Sequence, residues 1–181
     1  MIYLFLAEGF ELVEALSPVD ILRRGKTQVV TVGVGGKVIK ASCGVEVMSD
    51  ITLDEISLDS NVEAVVLPGG MPGTLNLEKN DKVIEAVKYC YDNGKLLGAI
   101  CAAPSILGHL GMLEGKKATA FPGFEKELSG AVYDNGYVEK DGNIITARGM
   151  GVATEFGLEL LACLRGAETA ANVRASVQCR P

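Results

Sequence analysis

Short runs of branched apolar residues alternate along this chain with segments of helical period, and that alternation restricts the fold more than any other feature. Residues 1–7 (Met1-Ile2-Tyr3-Leu4-Phe5-Leu6-Ala7) form an unbroken apolar run, as a strand buried on both faces does. Residues 11–24 follow at helical spacing, with Leu12, Val13, Leu16, Val19 and Leu22 on one side. Residues 27–34 are β-branched and read as a second strand. Gly35-Gly36 is a turn, and 37–48 reads as a small antiparallel excursion. A third buried strand, 62–67, ends at Pro68-Gly69-Gly70. Residues 80–93 read as a helix with Val83, Ala86, Val87 and Cys90 on one face, stopped by Asn93-Gly94. A strand over 95–100 and a helix over 102–113 come next, the latter presenting Ala103, Ile106, Leu107 and Leu110. Residues 117–120 read as a strand, 137–146 as a hairpin turning at Asp141-Gly142, 151–165 as a helix and 168–178 as one more.

Such an order predicts an α/β fold: a mostly parallel central sheet, helices on both faces and a small β-hairpin. At 181 residues with no repeat or linker, it is expected to form one domain, 1–181. The crevice of a sheet like this lies beyond the C-terminal strand ends. That points to residues 7–9, 67–70 and 100–102.

Composition narrows the function. With 17 Lys+Arg against 23 Asp+Glu the net charge is −6, and no basic cluster occurs, which argues against a dedicated nucleic-acid binder. No apolar run reaches the ~18 residues of a membrane span. The first seven residues are too short for a signal peptide and lack a basic leader, so a cytoplasmic protein is expected. The five cysteines (Cys43, Cys90, Cys101, Cys163, Cys179) are odd in number, widely spaced and without a C-x-x-C pair. That is neither a disulfide framework nor a zinc site. The single histidine, His109, removes zinc hydrolase schemes that need two or three imidazoles.

Four positions remain as carriers of chemistry. Cys101 sits where the strand Leu96–Ile100 must turn into the next helix, and a side chain in such a turn projects over the sheet edge. The following helix aims free N–H groups at the sulfur, so a lowered thiol pKa is expected. The other four cysteines read as ordinary small apolar residues. Glu14 has Phe10, Pro18 and Ile21 as helical neighbours. A carboxyl on that stripe would be neutralised by burial, but the pattern alone also fits an exposed carboxylate. Glu11, one turn earlier, reads as solvated. Gly70, after its strand, and Ala102, after Cys101, could offer backbone N–H groups as an oxyanion hole, although a glycine pair is also simply a tight turn. Gly69-Gly70-Met71-Pro72-Gly73-Thr74 lacks the lysine of a phosphate loop. His109 stands at i+4 from Ser105 but about two turns from Cys101, and reads as a surface or helix-end residue.

Four stretches, in this order, resemble the ThiJ/PfpI superfamily, in the branch of the Parkinsonism-associated protein deglycase and its bacterial ThiJ-like relatives. They are Glu14-Ala15-Leu16-Ser17-Pro18-Val19-Asp20-Ile21-Leu22-Arg23-Arg24, Val65-Val66-Leu67-Pro68-Gly69-Gly70, Ala99-Ile100-Cys101-Ala102-Ala103-Pro104 and Thr146-Ala147-Arg148-Gly149. The resemblance implies a flavodoxin-like three-layer sandwich and a homodimer. It also implies a nucleophile at Cys101, a protonated acid at Glu14 and oxyanion donors at Gly70 and Ala102. Such proteins act on small dicarbonyls or glycated adducts without metal or organic cofactor, or serve as oxidative-stress sensors and chaperones. One departure stands out: Phe121 falls where many relatives carry a histidine. A Cys–His dyad for peptide cleavage is therefore missing, and Glu14 must shuttle the proton alone. A class I glutamine amidotransferase shares the strand–Cys–helix layout but wants a downstream histidine, and only His109 follows.

Overall fold

The structure, a computed structural model, describes residues 1–179. The chain opens with β1 (Ile2–Ala7), α1 (Leu12–Arg24) and β2 (Val29–Val34), then a two-stranded antiparallel excursion, β3 (Val38–Lys40) and β4 (Glu46–Met48). β5 (Ile51–Thr52), β6 (Ala64–Leu67), α2 (Gly73–Glu78), α3 (Asp81–Asp92), β7 (Leu96–Ile100) and α4 (Pro104–His109) follow. The last third holds β8 (Lys117–Ala118), β9 (Val132–Tyr133), β10 (Val138–Asp141), β11 (Ile144–Ala147), α5 (Ala153–Arg165) and α6 (Ala167–Ser176). Seven strands form the central sheet in the order β10-β11-β7-β6-β1-β2-β5. Every pairing is parallel except the β10–β11 hairpin. This is the α/β, flavodoxin-like three-layer sandwich expected.

Strand pleat decides the two cores. Successive side chains of β1 point to opposite faces, and both faces are covered. Ile2, Leu4 and Leu6 join Leu22, Phe156 and Leu161 under α1, α5 and α6. Tyr3, Phe5 and Ala7 join Val83, Val87, Ile106 and Leu107 under α3 and α4. A strand with no wet face has no reason to alternate, which is why its sequence reads as one apolar run. β1 has β2 on one side and β6 on the other, so the chain reverses its direction of travel across the sheet between β1 and β6. That switch point lies at the strand ends carrying Glu8 and Gly69, with Cys101 at the end of the neighbouring β7.

Two local expectations need correction. The expected helix over 102–113 shrinks to Pro104–His109. Residues 101–103 form the turn itself, and Gly111, at φ 70°, ends the helix while Met112 N–H returns to the Leu107 carbonyl. The apolar face of α1 agrees only in part with the one read from Leu12, Val13, Leu16, Val19 and Leu22: Val19 and Leu22 are buried as expected, while Leu12 and Leu16 are half-buried. Its buried residues are Glu14, Ala15, Pro18, Val19, Ile21 and Leu22, while Val13 is exposed. α1 packs on α5 as well as on the sheet, and a Cβ at Gly157 would lie 3.0 Å from Pro18 Cα. Pro18 is thus held in a close helix–helix contact, and α1 continues through it. The elements β5 and α2, both too short to show a period, were not legible at all.

Candidate active site

Three strand ends build one site. Glu14 stands in the first turn of α1, just beyond β1. Glu11 caps that helix by accepting the Glu14 N–H at 2.7 Å, so it is half-buried and engaged rather than solvated. Glu14 itself is 1% exposed. Its Oε2 accepts the Gly69 N–H at 3.0 Å, and the Cys101 side chain and the Met150 N–H also favour its charged form. Burial, reinforced by the nearby Glu11 charge, outweighs these influences and raises its pKa from 4.5 to about 7. The exposed-carboxylate alternative is excluded by this burial.

Cys101 occupies the turn after β7 with φ of 66°, in the left-handed region that costs a side-chain-bearing residue about 1–3 kcal/mol. Both its backbone groups are held: its N–H donates to Ala147 O at 2.8 Å, and its carbonyl accepts the Phe121 N–H at 2.8 Å. The segment carrying Phe121 is fixed in turn by the Thr119 N–H, which donates to Thr146 Oγ1 on β11 at 2.9 Å. The N–H groups of Gly70 and Ala102 both reach the Cys101 side chain. Gly70 adopts φ of 91°, and a Cβ there would lie 2.4 Å from the Glu11 nitrogen. Only glycine fits at this position.

The expected acidic thiol is not what this environment makes. Burial, with the charge and hydrogen bond of Glu14, pushes the Cys101 thiol up to about 12 against the opposing pull of the two N–H groups. Helix α4 contributes little, since it has six residues and begins with a proline that has no N–H. The pair therefore rests near neutrality as a thiol beside a half-ionised carboxyl.

Gly69 makes the approach of the two side chains possible. A Cβ at this position would lie 2.6 Å from Cys101 Cβ and 2.7 Å from Glu14 Oε2. Gly69→Ala is therefore expected to destabilise the fold by about 1–3 kcal/mol by overpacking, read as a lower urea midpoint at unchanged slope. An unchanged midpoint would show that the pair is not in close contact.

Residues 1–163 match the model of the DJ-1/PfpI family. The chain belongs to that family. It is 36% identical over 174 residues to the Parkinson disease protein 7 homolog of Danio rerio, covering 94% of this chain and 92% of the relative. It is 38% identical over 180 residues to Protein DJ-1 homolog A of Arabidopsis thaliana, covering 97% of this chain but 46% of that protein. The chain thus spans about half the length of the plant relative. Among solved structures, oxidized Toxoplasma gondii DJ-1 superposes with a TM-score of 0.93 at 30% identity, covering 98% of this chain and 97% of that one.

Within this DJ-1/PfpI chain the four residues singled out by sequence, Glu14, Gly70, Cys101 and Ala102, converge at one point. His109 does not join them. Its ring bridges Glu78 and Glu127, which raise its pKa. The Ser105 hydroxyl donates to Ala102 O at 2.7 Å, so no Ser–His pair forms. Gly69 and Met150, the backbone donors to Glu14, were not anticipated, although the Arg148-Gly149 stretch pointed at the neighbourhood. Among the described residues no group of His, Cys, Asp and Glu is placed to hold a metal, and no helix is long and apolar enough to cross a membrane.

Proposed function

We propose that this protein is a cofactor-free, cysteine-dependent glyoxalase or deglycase acting on small 2-oxoaldehydes or their adducts. The observation that carries the reading is the close approach of Cys101 and a buried Glu14 over Gly69, where a Cβ would lie 2.6 Å from Cys101 Cβ and 2.7 Å from Glu14 Oε2, with burial raising the Glu14 pKa to about 7. A carboxylate with that pKa is well matched to general-base work at neutral pH. Glu14 takes the thiol proton as Cys101 Sγ bonds to the aldehyde carbon. The C=O electron pair moves to oxygen, where the Gly70 and Ala102 N–H groups are the nearest donors, giving a hemithioacetal. Glu14 gives the thiol proton to that oxygen and, again a carboxylate, carries the proton of the former aldehyde carbon to the adjacent carbon while the hydroxyl proton passes to the neighbouring oxygen, leaving a thioester of a 2-hydroxy acid. Water cleaves the thioester and restores the thiol. For methylglyoxal the sum is methylglyoxal plus water giving lactate. No step asks for imidazole, consistent with Phe121 beside Cys101, and a peptidase or amidotransferase finds no Cys–His dyad.

The second reading is an oxidative-stress sensor or chaperone. Two peroxides convert the Cys101 thiol to a sulfinic acid and release two waters, and a protonated Glu14 donates to the product. The oxidized Toxoplasma relative supports it. A thiol held protonated reacts slowly with peroxide, which ranks this reading second. Mass spectrometry after mild peroxide, run beside a lactate-formation assay, separates the two. Lactate formation with little addition of two oxygens is expected; selective sulfinic acid with negligible turnover would establish the sensor.

The homodimer implied by the resemblance has a face available in α1, where Val13 is exposed and Leu12 and Leu16 are half-buried. Sedimentation is expected to give twice the chain mass, falling toward one on Val13→Asp. A cytoplasmic setting and a small dicarbonyl or glycated partner complete the proposal.

A further inference from the structure

Three of the large apolar side chains that the fold leaves exposed, Phe121 at 47%, Tyr137 at 68% and Met150 at 54%, line a single cleft of about 400 Å³. Pro122, Arg148 and Val152 complete its wall. The cleft adjoins the Cys101–Glu14 pair through the backbone. Phe121 N–H is bonded to Cys101 O at 2.8 Å. Gly149 lies between Phe121 and Glu14, where a Cβ would be 3.3 Å from the Phe121 ring and 3.9 Å from Glu14 Oε1. The cation in the wall is already engaged. Arg148 Nη1 donates to Asn135 O at 3.2 Å, and its guanidinium carbon sits 5.9 Å from the centroid of the Tyr137 ring.

A sugar chain laid in this cleft would strip water from its hydroxyls against carbon walls offering few partners. A methyl group would leave most of the volume to water. An aromatic or long apolar group would fill it and displace water from two aromatic rings and a thioether. We propose that the cleft takes the aromatic or long apolar substituent of a small 2-oxoaldehyde, its aldehyde carbon directed to Cys101. The inference rests on the glyoxalase reading and names its substrate class. Phe121, Tyr137 and Met150 set specificity; Arg148 is a positioning residue that holds the Tyr137 ring in the wall.

Initial rates with phenylglyoxal and methylglyoxal test it, the products being mandelate and lactate by addition of one water each. The wild-type kcat/KM is expected to favour phenylglyoxal by at least about tenfold. Tyr137→Ala and Phe121→Ala are each expected to reduce that ratio severalfold, and Arg148→Gln to reduce it less, through a higher KM for phenylglyoxal. Turnover of both aldehydes at a ratio near one, unmoved in the variants, overturns the inference and leaves the glyoxalase reading standing. The same result would follow if a second copy of the chain covers the cleft. If neither aldehyde is turned over, the glyoxalase reading fails, and the cleft is judged on binding to Cys101→Ser protein. Mandelate binding about tenfold tighter than lactate, with a shift of the Met150 methyl resonance, supports it; equal binding overturns it.

Discussion

Purified Cys101→Ala protein is expected to form no lactate from methylglyoxal while keeping its fold. Cys101 Sγ is the sulfur placed over the strand ends, bonded to Glu14 and approached by two backbone N–H groups. The other four cysteines have no such setting, with Cys90 buried in the core and Cys43 exposed on a turn. Glu14→Gln keeps the shape of the side chain but cannot accept the thiol proton, so kcat is expected to fall by about 10²–10⁴-fold. The pH profile gives the sharper signature. The working form of Glu14 is the carboxylate, so activity is expected to rise with pH through about 7 and then level off. The glutamine variant should lose that limb. Lactate formation persisting in the alanine variant would falsify the mechanism.

Stability should carry the same carboxyl in its pH dependence, with the opposite sense to an ordinary acid. Folding raises the Glu14 pKa from 4.5 to about 7, so between those values the native state binds more protons than the unfolded chain. Its contribution is fully present below pH 4.5 and is lost as pH rises through about 7. The span corresponds to about 3 kcal/mol, undiscounted because the side chain is 1% exposed. Asp50 and Glu63 run the other way. Their pKa values are lowered, Asp50 by Thr31 and Arg23 and Glu63, to about 2, chiefly by Arg165, and their contributions are lost as pH falls. The clean measurement is therefore a difference: urea unfolding of wild type and Glu14→Gln at matched pH from 4.5 to 8.5. The variant is expected to gain on wild type by about 3 kcal/mol across that range. A difference that stays flat would place Glu14 in water rather than in the interior.

Much of the architecture was legible because parallel strands buried on both faces and helices with one apolar stripe write different periods into a chain. β1, β2, β6 and β7 emerge from such runs, and the hairpin at Asp141-Gly142 from its turn residues. The position of Cys101 was legible for the same reason, since a strand that ends at Ile100 before Pro104 leaves only a tight turn between. α1 was legible only in part: Val19 and Leu22 lie inward as its apolar stripe predicts, but Leu12, Val13 and Leu16 are left partly exposed, while Glu14 and Pro18 face inward. Phe121 was visible as a departure, but not that it joins Tyr137 and Met150 in one cleft.

What the amino-acid order determined alone was the set of elements, the parallel sheet and the turn that lifts Cys101 over its edge, all consequences of local period and backbone sterics. Tertiary structure decided the electrostatics. Glu14 and Cys101 belong to different strand–helix units, and whether their partners are water or each other depends on β1, β6 and β7 lying side by side. Desolvation is a property of everything packed around a group, so the rise of the Cys101 thiol pKa, against the fall expected from its turn, could be known only once the layers had closed.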